Sequence, residues 1–165
     1  MKKTLIILLA TMIINCSGGT SDEVTVITLG SLGNEMKYDT TEFTVKAGSK
    51  VKLTMKNNAS LDFMGEMLHN VVILLDESQA SNVVKYAEMN DGTPLASNTI
   101  LAMTVLADKQ EEASVEFTAP KKLGKYLYIC TYIAHAATMR IYDSRVTISL
   151  LKMIVQDDQL NLGQS

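Results

Sequence analysis

Cys130-Thr131-Tyr132-Ile133-Ala134-His135-Ala136-Ala137-Thr138-Met139 places a thiol, an imidazole and a thioether within ten residues. The chain has one other histidine, His69, and with it the stretch offers two His, one Cys and one Met. Thiolate and thioether are soft donors that favour Cu(I), and imidazole holds Cu(II) as well. A trigonal His2Cys set with a weak axial Met therefore suits both oxidation states of copper. A structural zinc site needs four strong ligands in a closed tetrahedron, for which a neutral thioether is a poor fourth. The donor set points to copper, and with all four positions filled it leaves no open place for a substrate, which disfavours catalysis.

Around this stretch the pattern is of short, half-buried strands. Val51, Leu53 and Met55 alternate with Lys50, Lys52, Thr54 and Lys56, and Val115 and Phe117 alternate with Ser114, Glu116 and Thr118. Such a period of two puts one face on a core and the other in water. Further strands are expected over Val24–Leu29, Phe43–Val45, Val71–Leu75, Ile100–Leu106, Tyr126–Cys130 and Val146–Leu151, with turns at Ala47-Gly48-Ser49 and at Pro120 to Gly124. Seven to eight strands with turns between them predict an all-β Greek-key sandwich or barrel. One stretch departs from the pattern: Val83, Val84, Ala87 and Met89 fall near helical spacing after Asp76-Glu77-Ser78, which can cap and charge a helix N-terminus. A single inserted helix on the side of the sandwich is expected there.

The beginning of the chain reads as an export signal. Lys2 and Lys3 precede a ten-residue apolar run, Leu5 to Ile14, that is too short to span a bilayer and the right length for a signal-peptide core. Residues 1–15 are therefore expected to be removed. Cys16 stands where a bacterial lipoprotein carries its acylated first residue. Ile13-Ile14-Asn15 resembles the box before such a cysteine, with Asn15 its departure. Residues 16–23 form a Gly/Ser-rich tether, residues 24–152 one folded domain and residues 153–165 a C-terminal tail. The expected location is the periplasmic side of the cell envelope, on the membrane surface. Without Lys2 and Lys3, 13 basic residues face 18 acidic ones, a net charge of −5. That excludes the basic surface a nucleic-acid partner requires, and a monomer is expected.

Four further segments extend the pattern beyond the donor stretch: Met36-Lys37-Tyr38-Asp39, Met67-Leu68-His69-Asn70-Val71-Val72, Ile100-Leu101-Ala102-Met103-Thr104 and Ser114-Val115-Glu116-Phe117. With these the chain resembles the cupredoxins, and among them the azurin and auracyanin branch of blue copper proteins, whose Cys-x4-His-x3-Met spacing it shares. The resemblance implies His69, Cys130 and His135 as equatorial ligands of one type 1 copper and Met139 as the long axial one. It implies that Asn70 ties the two ligand loops together beside the sulfur. Leu68 stands where azurins have a glycine whose carbonyl approaches copper. Ile133-Ala134 replaces a common Pro-Gly, so that Ile133 is expected to supply an amide to the sulfur and raise the potential.

The implied role is a carrier of single electrons between redox proteins, such as cytochromes or membrane oxidoreductases. Electrons would leave at His135 through an apolar docking patch of Met36, Met67, Ile133, Ala134 and Ala137. The alternative is copper storage or delivery, with Met64 and Met67 as extra Cu(I) donors. Met55, Met89 and Met103 are expected in the core.

Overall fold

The computed structural model describes residues 23–139 and 143–150, so the signal segment, Cys16 and the C-terminal tail lie outside the described residues. Among the described residues eight strands form two sheets: β1 (Thr25–Gly30), β2 (Glu42–Lys46), β3 (Lys50–Lys56), β4 (Val72–Leu74), β5 (Ile100–Met103), β6 (Glu112–Thr118), β7 (Gly124–Ile129) and β8 (Arg145–Ser149). The smaller sheet has the order β1-β3-β6 and the larger β2-β8-β7-β4-β5. β1 runs parallel to β3 and β2 parallel to β8, whereas the remaining pairs are antiparallel. This is the sandwich the alternation predicts.

The core follows from that alternation. Val51, Leu53 and Met55 on β3 are fully buried and meet Val45, Ile73, Tyr128, Val146 and Ile148 of the other sheet in one cluster. Each such side chain contributes about 1.5 to 3 kcal/mol by leaving water. Tyr38 and Tyr128 lie with ring centroids 5.2 Å apart, and Phe43 lies 5.5 Å from Tyr128. Both buried hydroxyls are satisfied: Tyr38 donates to Asn70 O at 2.6 Å and Tyr128 to Thr40 O at 2.6 Å. These rings form the floor under the donor residues, because Cys130 and Met139 belong to the same cluster.

The inserted helix is α1 (Ala80–Glu88), entered through a 3-10 turn at Glu77–Gln79 whose first amides are capped by Asp76, with Ser78 N donating to Asp76 Oδ1 at 3.0 Å. Its buried residues, Ala80, Val83 and Ala87, recur at three- and four-residue spacing, and Ala80 and Val83 pack on Val72, Leu74, Leu127 and Ile129. The helix thus covers the larger sheet's second face, which is why Val72–Leu74 and Tyr126–Ile129 are buried on both faces. Met89 caps the helix and is 68% exposed, so it is not a core residue. Met55 is buried, and Met103 packs half-buried against the helix-side cluster.

β5 ends earlier than the apolar run Ile100–Leu106 predicts. At Thr104 the side chain takes over from the backbone: Val71 N donates to Thr104 Oγ1 at 3.1 Å while Thr104 N donates to Val71 O at 3.0 Å. The chains part there and meet again in an isolated bridge between His69 and Ala107. A second helical turn, α2 (His135–Met139), follows β7; no helical period announces it because it spans only five residues.

Candidate metal centre

His69, Cys130 and His135 converge at one end of the sandwich. Cys130 directly follows β7, His69 precedes β4, and His135 opens α2. Their candidate donor atoms lie within 4.8 Å of one another, and all three residues are buried. Cys130 Sγ is 3.8 Å from Nδ1 of His69 and 3.8 Å from Nδ1 of His135. The imidazole centroids are 4.7 Å apart. Met139, at the other end of α2, is 1% exposed and packs in the cluster that holds Cys130.

The backbone around these residues is held by hydrogen bonds from outside each loop. His69 N donates to Ala107 O at 3.1 Å and receives Ala107 N on its own carbonyl at 2.8 Å. Asn57, 1% exposed, donates through Nδ2 to Met67 O and, at 3.0 Å, to Ala107 O. Its Oδ1 accepts from Ala59 N at 3.1 Å and Ser31 Oγ at 3.3 Å. Asn57 therefore fixes both sides of the His69 bridge.

Asn70 and Thr131 join the two ligand-bearing segments directly. Thr131 N donates to Asn70 Oδ1 at 2.8 Å, and Asn70 Nδ2 donates to Thr131 Oγ1 at 2.9 Å. The Thr131 hydroxyl in turn donates to Gly92 O at 2.7 Å, tying in the end of α1. At Gly92, with φ +81°, a Cβ would stand 3.1 Å from Tyr132 Cα, so the residue is both left-handed and in close approach. Thr131, Asn57 and Gly92 were not singled out from sequence. Thr131 had a usable signal, its position beside Cys130, whereas Asn57 and Gly92 acquire their roles only through residues distant in the chain.

The backbone amides that favour the Cys130 thiolate are those of Asn70 and Tyr132. The amide expected from Ile133 belongs instead to the residue before it. The reason is local: the chain turns back at Tyr132, whose carbonyl accepts His135 N at 3.0 Å, and Ile133 is carried to the tip, 49% exposed.

Burial sets the protonation of the metal-free site. It pushes the Cys130 thiol up to about 11, against the opposing pull of the two amides. It lowers His69 to about 4, with the neighbouring His135 adding to the effect, and lowers His135 to about 4 by burial. At neutral pH the site thus holds a thiol and two uncharged rings. A cation reverses this balance by taking the thiolate and releasing a proton.

These shifts predict a pH dependence. Between the ordinary value of 6.5 and about 4, the unfolded chain binds protons that the folded rings refuse. Stability of the metal-free protein is therefore full above about pH 6.5 and falls toward pH 4, below which these two groups take no more. Urea midpoints at pH 7, 5.5 and 4 should decline in that order, and equal midpoints would contradict the buried neutral rings.

The residues fit copper by both chemistry and spacing. Bonds of about 2.0 to 2.3 Å to one shared metal put two donors about 3.6 to 3.8 Å apart, and both sulfur–nitrogen edges are 3.8 Å. Moreover, His69 Nε2 is buried with no hydrogen-bond partner.

Residues 24–146 match the family model of copper binding proteins of the plastocyanin/azurin family. The chain belongs to that family. It is 36% identical over 120 residues to auracyanin-A of Chloroflexus aurantiacus, covering 69% of this chain and 70% of that one. The solved structure of auracyanin A, described as a "blue" copper protein from Chloroflexus aurantiacus, aligns with a TM-score of 0.66 at 32% identity, over 77% of this chain and 100% of that one. Dithionite-reduced auracyanin from Roseiflexus castenholzii aligns with a TM-score of 0.64 at 31% identity, over 76% and 97%.

The fold is therefore that of a cupredoxin, and its cofactor is one type 1 copper, with His69, Cys130, His135 and Met139 positioned as the ligand site. Cupredoxins are in general electron carriers.

The docking patch drawn from sequence is altered by the structure. Met67 is 4% exposed and so lies inward, whereas Met36 is half-buried against the core and keeps part of its surface outside. Met67 turns inward where its carbonyl is held by Asn57, two residues before the buried His69. Ile133 and Ala134 are exposed; the side chain of Ala137 lies outside what is described. Leu61, Phe63 and Met64, the last 93% exposed, add apolar surface on the loop that leads to Met67. Leu68, half-buried, directly precedes His69. His135, expected at the solvent edge, is 2% exposed beneath Tyr132, whose ring meets it edge-on at 5.0 Å.

Proposed function

We propose that the protein is a one-electron carrier of the cell envelope, cycling a single copper between Cu(I) and Cu(II), and that it is not an enzyme. The observation that carries this reading is the buried donor set: one sulfur equidistant from two imidazole nitrogens, each on a separately braced segment. When bound there, copper supplies the redox couple. The protein's part is to hold soft and borderline donors so that neither oxidation state demands a different arrangement. Asn57 and the Ala107 bridge restrain His69, Asn70 and Thr131 restrain Cys130, and burial excludes water from both.

Electrons enter and leave past His135, through the face where Ile133 and Ala134 are exposed, with Leu61, Phe63 and Met64 extending the apolar contact. Redox proteins such as cytochromes or membrane oxidoreductases are the partners such a face fits. Acylation at Cys16 would hold the domain on a membrane surface, each buried CH2 of the acyl chains contributing about 0.8 kcal/mol. Among the described residues no helix is long and apolar enough to cross a membrane.

The test is to load the purified full-length protein with copper in detergent and follow both voltammetry and transfer to a cytochrome. A reversible one-electron wave with second-order transfer is expected. Rapid surrender of Cu(I) to a weak chelator, without a reversible wave, would instead establish copper delivery.

A further inference from the structure

The four residues Tyr132-Ile133-Ala134-His135 form a tight turn closed by His135 N donating to Tyr132 O at 3.0 Å, with Ala134 at φ +64°. Positive φ at the third residue of such a turn calls for Gly or Asn, and Pro is favoured at the second. Here the two places hold Ala and a β-branched Ile. The Cβ of Ala134 crowds a backbone carbonyl in the left-handed conformation. Burial does not hold the tip down either, because Ile133 and Ala134 are both exposed. The turn that delivers His135 is therefore imposed from outside its own two central residues.

The outside contact is Tyr132. Its ring packs edge-on against His135, at 5.0 Å and 82°, and its hydroxyl donates to Glu66 Oε2 at 2.6 Å. Glu66 is a fixed post despite its exposure, because the loop around it is anchored on both sides. Lys109 Nζ donates to Phe63 O at 2.9 Å and to Gly65 O at 3.0 Å, and Asn57 holds Met67 O. On the other flank Gly92 lies so close to Tyr132 that a Cβ there would stand 3.1 Å from both its Cα and its ring.

We propose that the Tyr132–Glu66 hydrogen bond is a clasp that holds the His135 turn in its left-handed form and so directs His135 Nδ1 toward Cys130 Sγ. Tyr132 and Glu66 are positioning residues for the metal, acting through His135. The aim of the imidazole is then set jointly by the ligand loop and by the loop that precedes the other histidine.

The His135 amide reports on the turn without any metal, since its hydrogen bond closes it. In the metal-free full-length protein, Tyr132→Phe and Glu66→Ala should each speed hydrogen exchange at His135 about fivefold, the scale of one lost net hydrogen bond. The amides of Ile73 and Tyr128, in the strands beneath, should keep their rates. Ala134→Gly relieves the turn's own strain, so in that background Tyr132→Phe should change His135 exchange by less than about twofold. In the copper-loaded protein, Tyr132→Phe should alter the Cu(II) hyperfine splitting, and Ala134→Gly should restore it.

The clasp is overturned if His135 exchange is unmoved by Tyr132→Phe, if it rises equally in both backgrounds, or if the strand amides speed up with it. The hyperfine measurement rests on the copper reading above. A wild-type chain that takes up no copper would refute that reading, while the exchange rates would still decide the clasp.

Discussion

Cys130→Ser abolishes the intense visible absorption expected of the copper-loaded protein and weakens Cu(II) binding by more than about a hundredfold. The magnitude follows from what the sulfur does. It is the sole anionic donor of the set, it is fully buried, and it stands at 3.8 Å from both imidazole nitrogens. Residues that merely support metal ligands are worth about ten- to a hundredfold in affinity, so loss of the thiolate itself exceeds that range. A serine hydroxyl does not ionise near neutral pH, and its oxygen provides none of the soft, polarisable character that Cu(I) prefers. The fold survives the change, because Ser is nearly isosteric and the amides of Asn70 and Tyr132 remain to meet its oxygen. The check is a copper titration read by visible absorbance beside a far-UV spectrum of the same sample. A band of wild-type strength in the folded variant would remove Cys130 from the ligand set, and with it the carrier reading.

Asn57→Ala is expected to be the most damaging single change outside the ligands, costing about 3 kcal/mol or more of stability. Asn57 is 1% exposed and its side chain makes four hydrogen bonds: to the carbonyls of Met67 and Ala107, and from Ala59 N and Ser31 Oγ. Each buried group left without its partner costs about 1 to 3 kcal/mol, and alanine has nothing to offer any of them. Large losses in point variants usually come from just such a buried polar hub. The damage is also directed, since Met67 and Ala107 frame His69. Copper affinity should therefore fall together with the denaturation midpoint. Urea unfolding of the metal-free protein measures the first loss and copper competition the second. A variant within about 1 kcal/mol of the wild type would show that the bridge at His69 holds without Asn57.

Much of the sandwich is legible along the chain because a strand with one wet face writes its own alternation. Val51, Leu53 and Met55 between lysines need no partner to be read as a strand. The lengths of β4 and β5 are another matter. The apolar run Ile100–Leu106 continues past the end of pairing, and what stops it is Thr104 bonding to Val71, a residue thirty-three positions earlier. Met67 illustrates the same limit at the surface. Methionine is equally at home on a docking face and in a core, and its inward placement follows from Asn57 capturing its carbonyl. Thr131 likewise looks like an ordinary polar residue until Asn70 and Gly92 are brought to it.

The donor set itself was determined by the sequence. The identity of the metal follows from the softness of sulfur and the borderline character of imidazole, properties of the residue types that no folding alters, and the Cys130–Met139 spacing delivers three of the four donors within ten residues. Only the tertiary structure decided how those donors are aimed. His69 arrives sixty-one residues ahead of Cys130, and its Nδ1 faces the sulfur because a bridge to Ala107 and a buried asparagine brace the backbone beside it. Which amides meet the sulfur, and which apolar side chains remain outside, depends on where a turn with one left-handed alanine points. Such a turn has too little local preference to choose its own direction, so the neighbouring loop decides it.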